Sequence, residues 1–102
     1  MVIYVDIDDT ICESDKKGLD YNKSSPIKAR ISKINDLYAS GNTIIYWTGR
    51  GTLTGVDWRE VTLRQLEEWG AKYHGLVMGK PAFDLFIDDK NINSEEFFKD
   101  VK

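Results

Sequence analysis

Short apolar runs alternate along this chain with polar stretches of helical period. Val2, Ile3, Tyr4 and Val5 form one continuous run rich in β-branched residues, the pattern of a strand covered on both faces. Residues 12–24 are polar without sustained period and read as an excursion or hairpin loop. Ser25-Pro26 then predicts a helix start, with serine as N-cap and proline in the first turn. Ile27, Ile31, Ile34 and Tyr38 mark its apolar face, and Gly41 closes it. The alternation repeats. Thr43, Ile44, Ile45, Tyr46 and Trp47 read as a second buried strand, and Asp57 with Glu60 as a capping box for a second helix. Trp58, Val61, Leu66 and Trp69 fall on a broad apolar face of that helix, which Gly70 ends. Leu76, Val77 and Met78 predict a third strand, Leu85, Phe86 and Ile87 a fourth, and Ser94 caps a short last helix running through Phe97 and Phe98 to Val101. Strands alternating with helices predict an α/β fold: a Rossmann-like three-layer sandwich with a mostly parallel sheet and right-handed crossovers. There is no internal repeat, low-complexity tract or linker.

Composition narrows the function classes. A chain of 102 residues is about one small domain with a modest core. The net charge of −3, from 17 acidic and 14 basic residues, leaves no polybasic face for nucleic acid. Cys12 is the single cysteine, so an internal disulfide is excluded. With no signal peptide and no apolar run of membrane-spanning length, a cytoplasmic protein without a membrane partner is expected. Cys12 is expected to be a buried thiol rather than a nucleophile, because only His74 could serve as its imidazole partner. His74 itself is read as structural, and Trp47, Trp58 and Trp69 as core, with Trp58 the best exception.

In such a fold ligands bind outside the carboxyl ends of the strands. There the first strand delivers Asp6, Asp8, Asp9 and Thr10, and the second delivers Thr48, Gly49, Arg50 and Gly51. The third delivers Gly79 and Lys80, and the fourth Asp88 and Asp89. Carboxylates gathered from two strands repel one another unless a cation sits among them, and an all-oxygen site suits Mg²⁺ completed by phosphate oxygens. Lys80 can neutralise a phosphate, and Thr48 with the backbone amides opened by Gly49 and Gly51 can hydrogen-bond a transferring phosphoryl group. A carboxylate can attack phosphorus to form an aspartyl-phosphate, and a second one at i+2 can swing round, as the strand ends, to transfer protons. Arg50 reads either as a solvated loop charge or as a ligand for a second group on the substrate.

These motifs, VIYVDIDDT, TIIYWT, GK and DLFIDD in that order from residue 2 to residue 89, resemble the haloacid dehalogenase superfamily of phosphatases. The wording GRGT, DWRE, LEEWGAKYH, GKP and FIDDK is similar to that of small capsule or surface-polysaccharide biosynthesis phosphatases in that superfamily. The resemblance implies a Mg²⁺-dependent phosphomonoester hydrolase. Asp6 would be nucleophile and metal ligand, and Asp8 the general acid and base and a metal ligand. Thr48 and Lys80 would be catalytic and hold the phosphoryl group, Asp88 would bind the metal, and Asp89 would assist through water or by orienting its neighbours. Asp9 and Thr10 receive no catalytic role; Thr10 is expected to brace the turn. Lys80 lies only eight positions before Asp88, closer than in many relatives, so it needs a tight turn at Gly79-Lys80-Pro81, with Lys90 as the fallback. No cap domain fits. Water exclusion and specificity would fall to the loops, a neighbouring subunit in a homo-oligomer, or a bulky substrate. Glu13, Lys16, Lys17, Tyr21, Lys23 and Arg50 are expected to face the leaving group, and a sugar or polyol phosphate fits better than a nucleic-acid end. A receiver domain of two-component signalling and a non-catalytic Mg²⁺ or phosphate-binding module are the alternatives. The acidic pair at 88–89 speaks against the receiver.

Overall fold

The computed structural model describes residues 1–15 and 20–101. Strand β1 (Val2–Val5) lies at the edge of a three-stranded parallel sheet of order β1-β4-β5, beside β4 (Thr43–Trp47) and then β5 (Gly75–Val77). The register sets Val2 against Thr43 and Tyr46 against Leu76. A small antiparallel pair, β2 (Cys12–Glu13) and β3 (Ser25–Pro26), closes the excursion into a hairpin, with a 3₁₀ turn at Tyr21–Lys23. Helix α1 (Lys28–Ala39) joins β1 to β4, α2 (Arg59–Glu68) joins β4 to β5, and α3 (Ser94–Phe97) follows late in the chain.

Successive side chains of a strand point to opposite faces, and burial follows that alternation. Val5, Ile44, Tyr46 and Leu76 are buried in one core with Ile31 and Ile34 of α1, Leu66 of α2, and Phe98. On the opposite face Val2 and Tyr4 stay 66% and 58% exposed. The described residues therefore make two layers, not the expected three. The reason is topological: β1→β4 and β4→β5 step in the same direction, so two right-handed crossovers place α1 and α2 on one side. The other face carries an edge-on pair of Tyr4 and Trp47 with ring centroids 6.0 Å apart. Trp47 is thus not part of the main core. Trp69 packs against that core, as expected.

Several boundaries move for identifiable reasons. Ser25-Pro26 does not open α1, because both residues pair with β2 and the Ile27 amide donates to the Ile11 carbonyl at 2.8 Å. The helix begins two residues later than expected, with Ile27 as its cap and no side-chain cap bond. Asp57 does cap α2, accepting the Arg59 amide at Oδ1 at 3.0 Å, although Trp58 is the residue at the cap position. Asn93, not Ser94, caps α3. The expected strand at Leu85, Phe86 and Ile87 does not form. Residues 81–90 are exposed throughout, with Leu85 at 75% and Ile87 at 85%. An apolar run becomes a strand only by pairing its backbone with another, and this stretch lies outside both sheets.

Candidate functional site

The turn after β1 builds the site. Asp9 takes a left-handed conformation at φ 61°, which an aspartate tolerates better than most residues. That turn lets Thr10 and Ile11 donate their amides back to the Ile7 carbonyl at 3.1 and 2.9 Å. Thr10 Oγ1 then donates to Asp6 Oδ2 at 3.1 Å, so Thr10 braces the turn and orients Asp6. Lys80 reaches the same carboxylate from the loop after β5, Nζ to Oδ1 at 3.4 Å. No tight turn forms at Gly79-Lys80-Pro81; Gly79 instead bends the chain at φ 84°, just before Lys80. Asp6 remains 35% exposed at its side chain, so a ligand can reach it. Lys90 is exposed in the stretch past the sheet.

Thr48 directly follows β4 and is almost wholly buried. Its Oγ1 accepts the Arg50 amide at 3.1 Å, and its carbonyl accepts the Lys80 amide at 3.0 Å, which ties the loops after β4 and β5 together. The Gly49–Gly51 segment needs its glycines. A Cβ on Gly49 would lie 3.0 Å from the Lys80 carbonyl oxygen, and Gly51, at φ 81°, has no room for one against the Val56 carbonyl.

Arg50 is neither a solvated charge nor a ligand for substrate. Its side chain is fully enclosed and binds Asp8 through two bonds, Nε to Oδ2 and Nη2 to Oδ1, both 3.0 Å. Nη1 donates to Thr62 Oγ1 at 3.1 Å and to Gln65 Oε1 at 2.6 Å, and the Tyr21 ring lies 4.8 Å from the guanidinium carbon. This explains the inner face of α2. Its buried positions are Thr62, Gln65 and Leu66, two of them polar because they receive a buried cation. Gln65 also donates to the Tyr21 carbonyl at 2.6 Å, so the same cluster pins the excursion loop. The signal in the sequence was a Thr62/Gln65 pair at i, i+3 on an otherwise apolar helix face, which only a partner of opposite polarity justifies.

Cys12 is buried as expected, its thiol near the Ile7 carbonyl and Asp8 Oδ1 at 3.6 and 3.5 Å. Burial, with the Asp8 carboxylate second, pushes that thiol up to about 12. His74 accepts the Ile44 amide at Nδ1 at 3.1 Å and stacks on Tyr38, a structural part. Among the residues expected to face a leaving group, Glu13 and Lys23 are exposed, and Tyr21 meets Trp58 edge-on at 5.0 Å. Lys16 and Lys17 lie outside the described residues.

Asp6, Asp8, Thr48, Gly49 and Lys80 thus converge at the carboxyl edge of the sheet. Asp88 and Asp89 do not join them; they sit in the exposed stretch, where the Asp89 amide and the Asn91 side chain bond back onto Asp88. Among the described residues no three His, Cys, Asp or Glu side chains are grouped to hold a metal ion. Asp8 has both oxygens on Arg50, and Asp6 has its own on Lys80 and Thr10, so the donors as placed do not fit a divalent cation.

The backbone superimposes on the crystal structure of a structural-genomics target from Vibrio cholerae with a TM-score of 0.83, over 94% of this chain and 85% of that one. At 21% identity the likeness shows a shared α/β fold. No family model and no curated protein matches the chain. No helix among the described residues is long and apolar enough to cross a membrane.

Proposed function

We propose that the protein is a phosphomonoester hydrolase of the haloacid dehalogenase type, acting on a small phosphorylated metabolite through Asp6. The observation that carries this reading is the accessible Asp6 carboxylate paired with Lys80 at 3.4 Å, where the loops after β1, β4 and β5 meet. An Asp6 oxygen attacks phosphorus, the bond to the leaving oxygen breaks, and an aspartyl-phosphate forms. Lys80 offsets charge on the phosphoryl oxygens, and the Gly49 amide is a backbone donor for them. Asp8 supplies the proton to the leaving oxygen and takes one from the water that hydrolyses the intermediate; to do so it exchanges a bond to Arg50 for one to the reacting oxygen. Thr10 keeps Asp6 aimed. The resemblance also implies Mg²⁺, but the donors as placed do not fit it, and no step is routed through the ion.

The test is phosphate release from a panel of phosphomonoesters with Mg²⁺ and with chelator, alongside Asp6→Asn. Release is expected in the wild type and reduced at least about 10³-fold in the variant, with circular dichroism unchanged. The ratio of the Mg²⁺ and chelator rates reads the metal requirement. Equal rates in Asp6→Asn and wild type would rule out the covalent mechanism.

A further inference from the structure

The run Leu85-Phe86-Ile87 has the composition of a strand and no strand to pair with. Residues 81–90 are exposed throughout and lie outside both sheets. β1 has the complementary lack: it stands at the edge of its sheet, and among the described residues no strand pairs with its outer side. An exposed apolar run and an open edge are each a template for another chain.

Within one chain the two cannot meet in the direction the sheet demands. A strand parallel to β1 must enter at the amino edge, whereas Lys80 is held at the carboxyl edge, its amide on the Thr48 carbonyl at 3.0 Å and its Nζ 3.4 Å from Asp6. Only residues 81–84 separate Lys80 from Leu85. Fully extended they reach roughly 14 Å, about the length of β1 itself, and a parallel return takes roughly a dozen residues. A second copy removes that constraint, because its β1 is not tied to this chain's Lys80.

The alternation of the run fits β1 on both faces. With Asp88 set level with Asp6, Leu85 and Ile87 fall beside Ile3 and Val5 on the core side, and Phe86 falls beside Tyr4 on the uncovered face. Val2, Tyr4, Leu85, Phe86 and Ile87 are all exposed in the single chain. Covering them in two copies removes on the order of 1,000 Å² from water, the size at which an interface becomes specific.

We infer that two copies exchange these segments: residues 84–88 of each add to the outer edge of β1 of the other as a parallel strand, and Asp88 is carried to the pair of Asp6 and Lys80 in the second copy. Each site then draws on two chains. Lys80, which meets Asp6 in the single chain, gains a second carboxylate and offsets the repulsion between the two. The exchange itself stands apart from the phosphohydrolase reading, whereas the part Asp88 plays in turnover rests on it.

Sedimentation velocity reads the assembly. The wild type is expected as a dimer of 11.7 kDa chains, and Leu85→Lys/Ile87→Lys as a monomer with unchanged circular dichroism, since both side chains are exposed in the single chain. A monomeric wild type, or a variant that stays dimeric, would overturn the exchange. Cross-linking reads the pairing. In a Cys12→Ala background, one copy carrying Val2→Cys and another carrying Asp84→Cys are refolded together and oxidised; a disulfide between them is expected at this register, and no bond within one chain can form. No link, or a link only when Val2→Cys meets Asp88→Cys, the mark of an antiparallel strand, would overturn the delivery of Asp88. Complementation reads the site. Asp6→Asn and Asp88→Asn, each reduced at least about 10-fold alone, should regain about a quarter of wild-type phosphate release when refolded together, because about half of the dimers are mixed and each of those holds one intact site. Full activity in Asp88→Asn, or no recovery in the mixture, would overturn the shared site. The expected cross-link without phosphate release from the wild type would leave the exchange standing and remove the phosphohydrolase reading.

Discussion

Arg50 is enclosed by Asp8, Thr62, Gln65 and Tyr21, and each of those groups is itself turned inward to meet it. A buried guanidinium held this way is costly to remove, because its partners are left without their cation. Arg50→Met should destabilise the protein by about 3 kcal/mol, read as a lower urea midpoint at constant slope. A loss below about 1 kcal/mol would mean that Asp8 finds water instead. Tyr46 is the opposite case. Its ring is fully buried, and its hydroxyl, among the described residues, is the buried side-chain atom without a hydrogen-bond partner. Tyr46→Phe removes that unmet polar group and is expected to stabilise by about 1 kcal/mol, measured by the same unfolding curve. Destabilisation would show that the hydroxyl bonds a water.

Among the elements, the loop between β4 and α2 does the most positioning. Its first residues pass under the Lys80 carbonyl, and Gly51 turns the chain at positive φ directly against the Val56 carbonyl. An added methyl group has nowhere to go. Gly51→Ala should cost more than about 1 kcal/mol from the backbone conformation alone, and the collision should displace the loop. Thermal unfolding and the amide spectrum of residues 49–58 check both; a wild-type melting temperature would show that the loop gives way freely. Helix α2 was legible in part. Its length, its Asp57 start and its Gly70 end follow from local chemistry, which acts within one turn. Its buried face was misread because Thr62 and Gln65 answer a charge that arrives from twelve and fifteen residues earlier.

For the whole molecule, titration links burial to stability. Burial holds the Cys12 thiol at about 12 against an ordinary 9.0, and raises the Tyr46 phenol above its ordinary 10.0. The folded state keeps these protons where the unfolded chain has released them. Their contribution is therefore complete below about pH 9 and declines as pH rises toward about 12. Urea midpoints should fall between about pH 9 and pH 11, and Cys12→Ala should show a shallower fall. Parallel slopes in the two proteins would place the thiol in water.

The β1, β4 and β5 strands and the α1 and α2 helices were readable from the chain because apolar period, glycine stops and side-chain caps act over a few residues. Asp6 and Lys80 were readable as candidates because a strand's carboxyl end is a fixed place in an α/β fold. Other features were settled only in three dimensions. Arg50 turned inward because Asp8, Thr62 and Gln65 converge from separate elements. Both crossovers fell on one sheet face because they step the same way, which leaves Val2 and Tyr4 exposed. The apolar run at Leu85, Phe86 and Ile87 stayed out of the sheet, and Asp88 and Asp89 stayed with it, because a strand exists only through the backbone it pairs with. Local pattern determines what a segment can become; the partner that meets its backbone and its charges decides what it is.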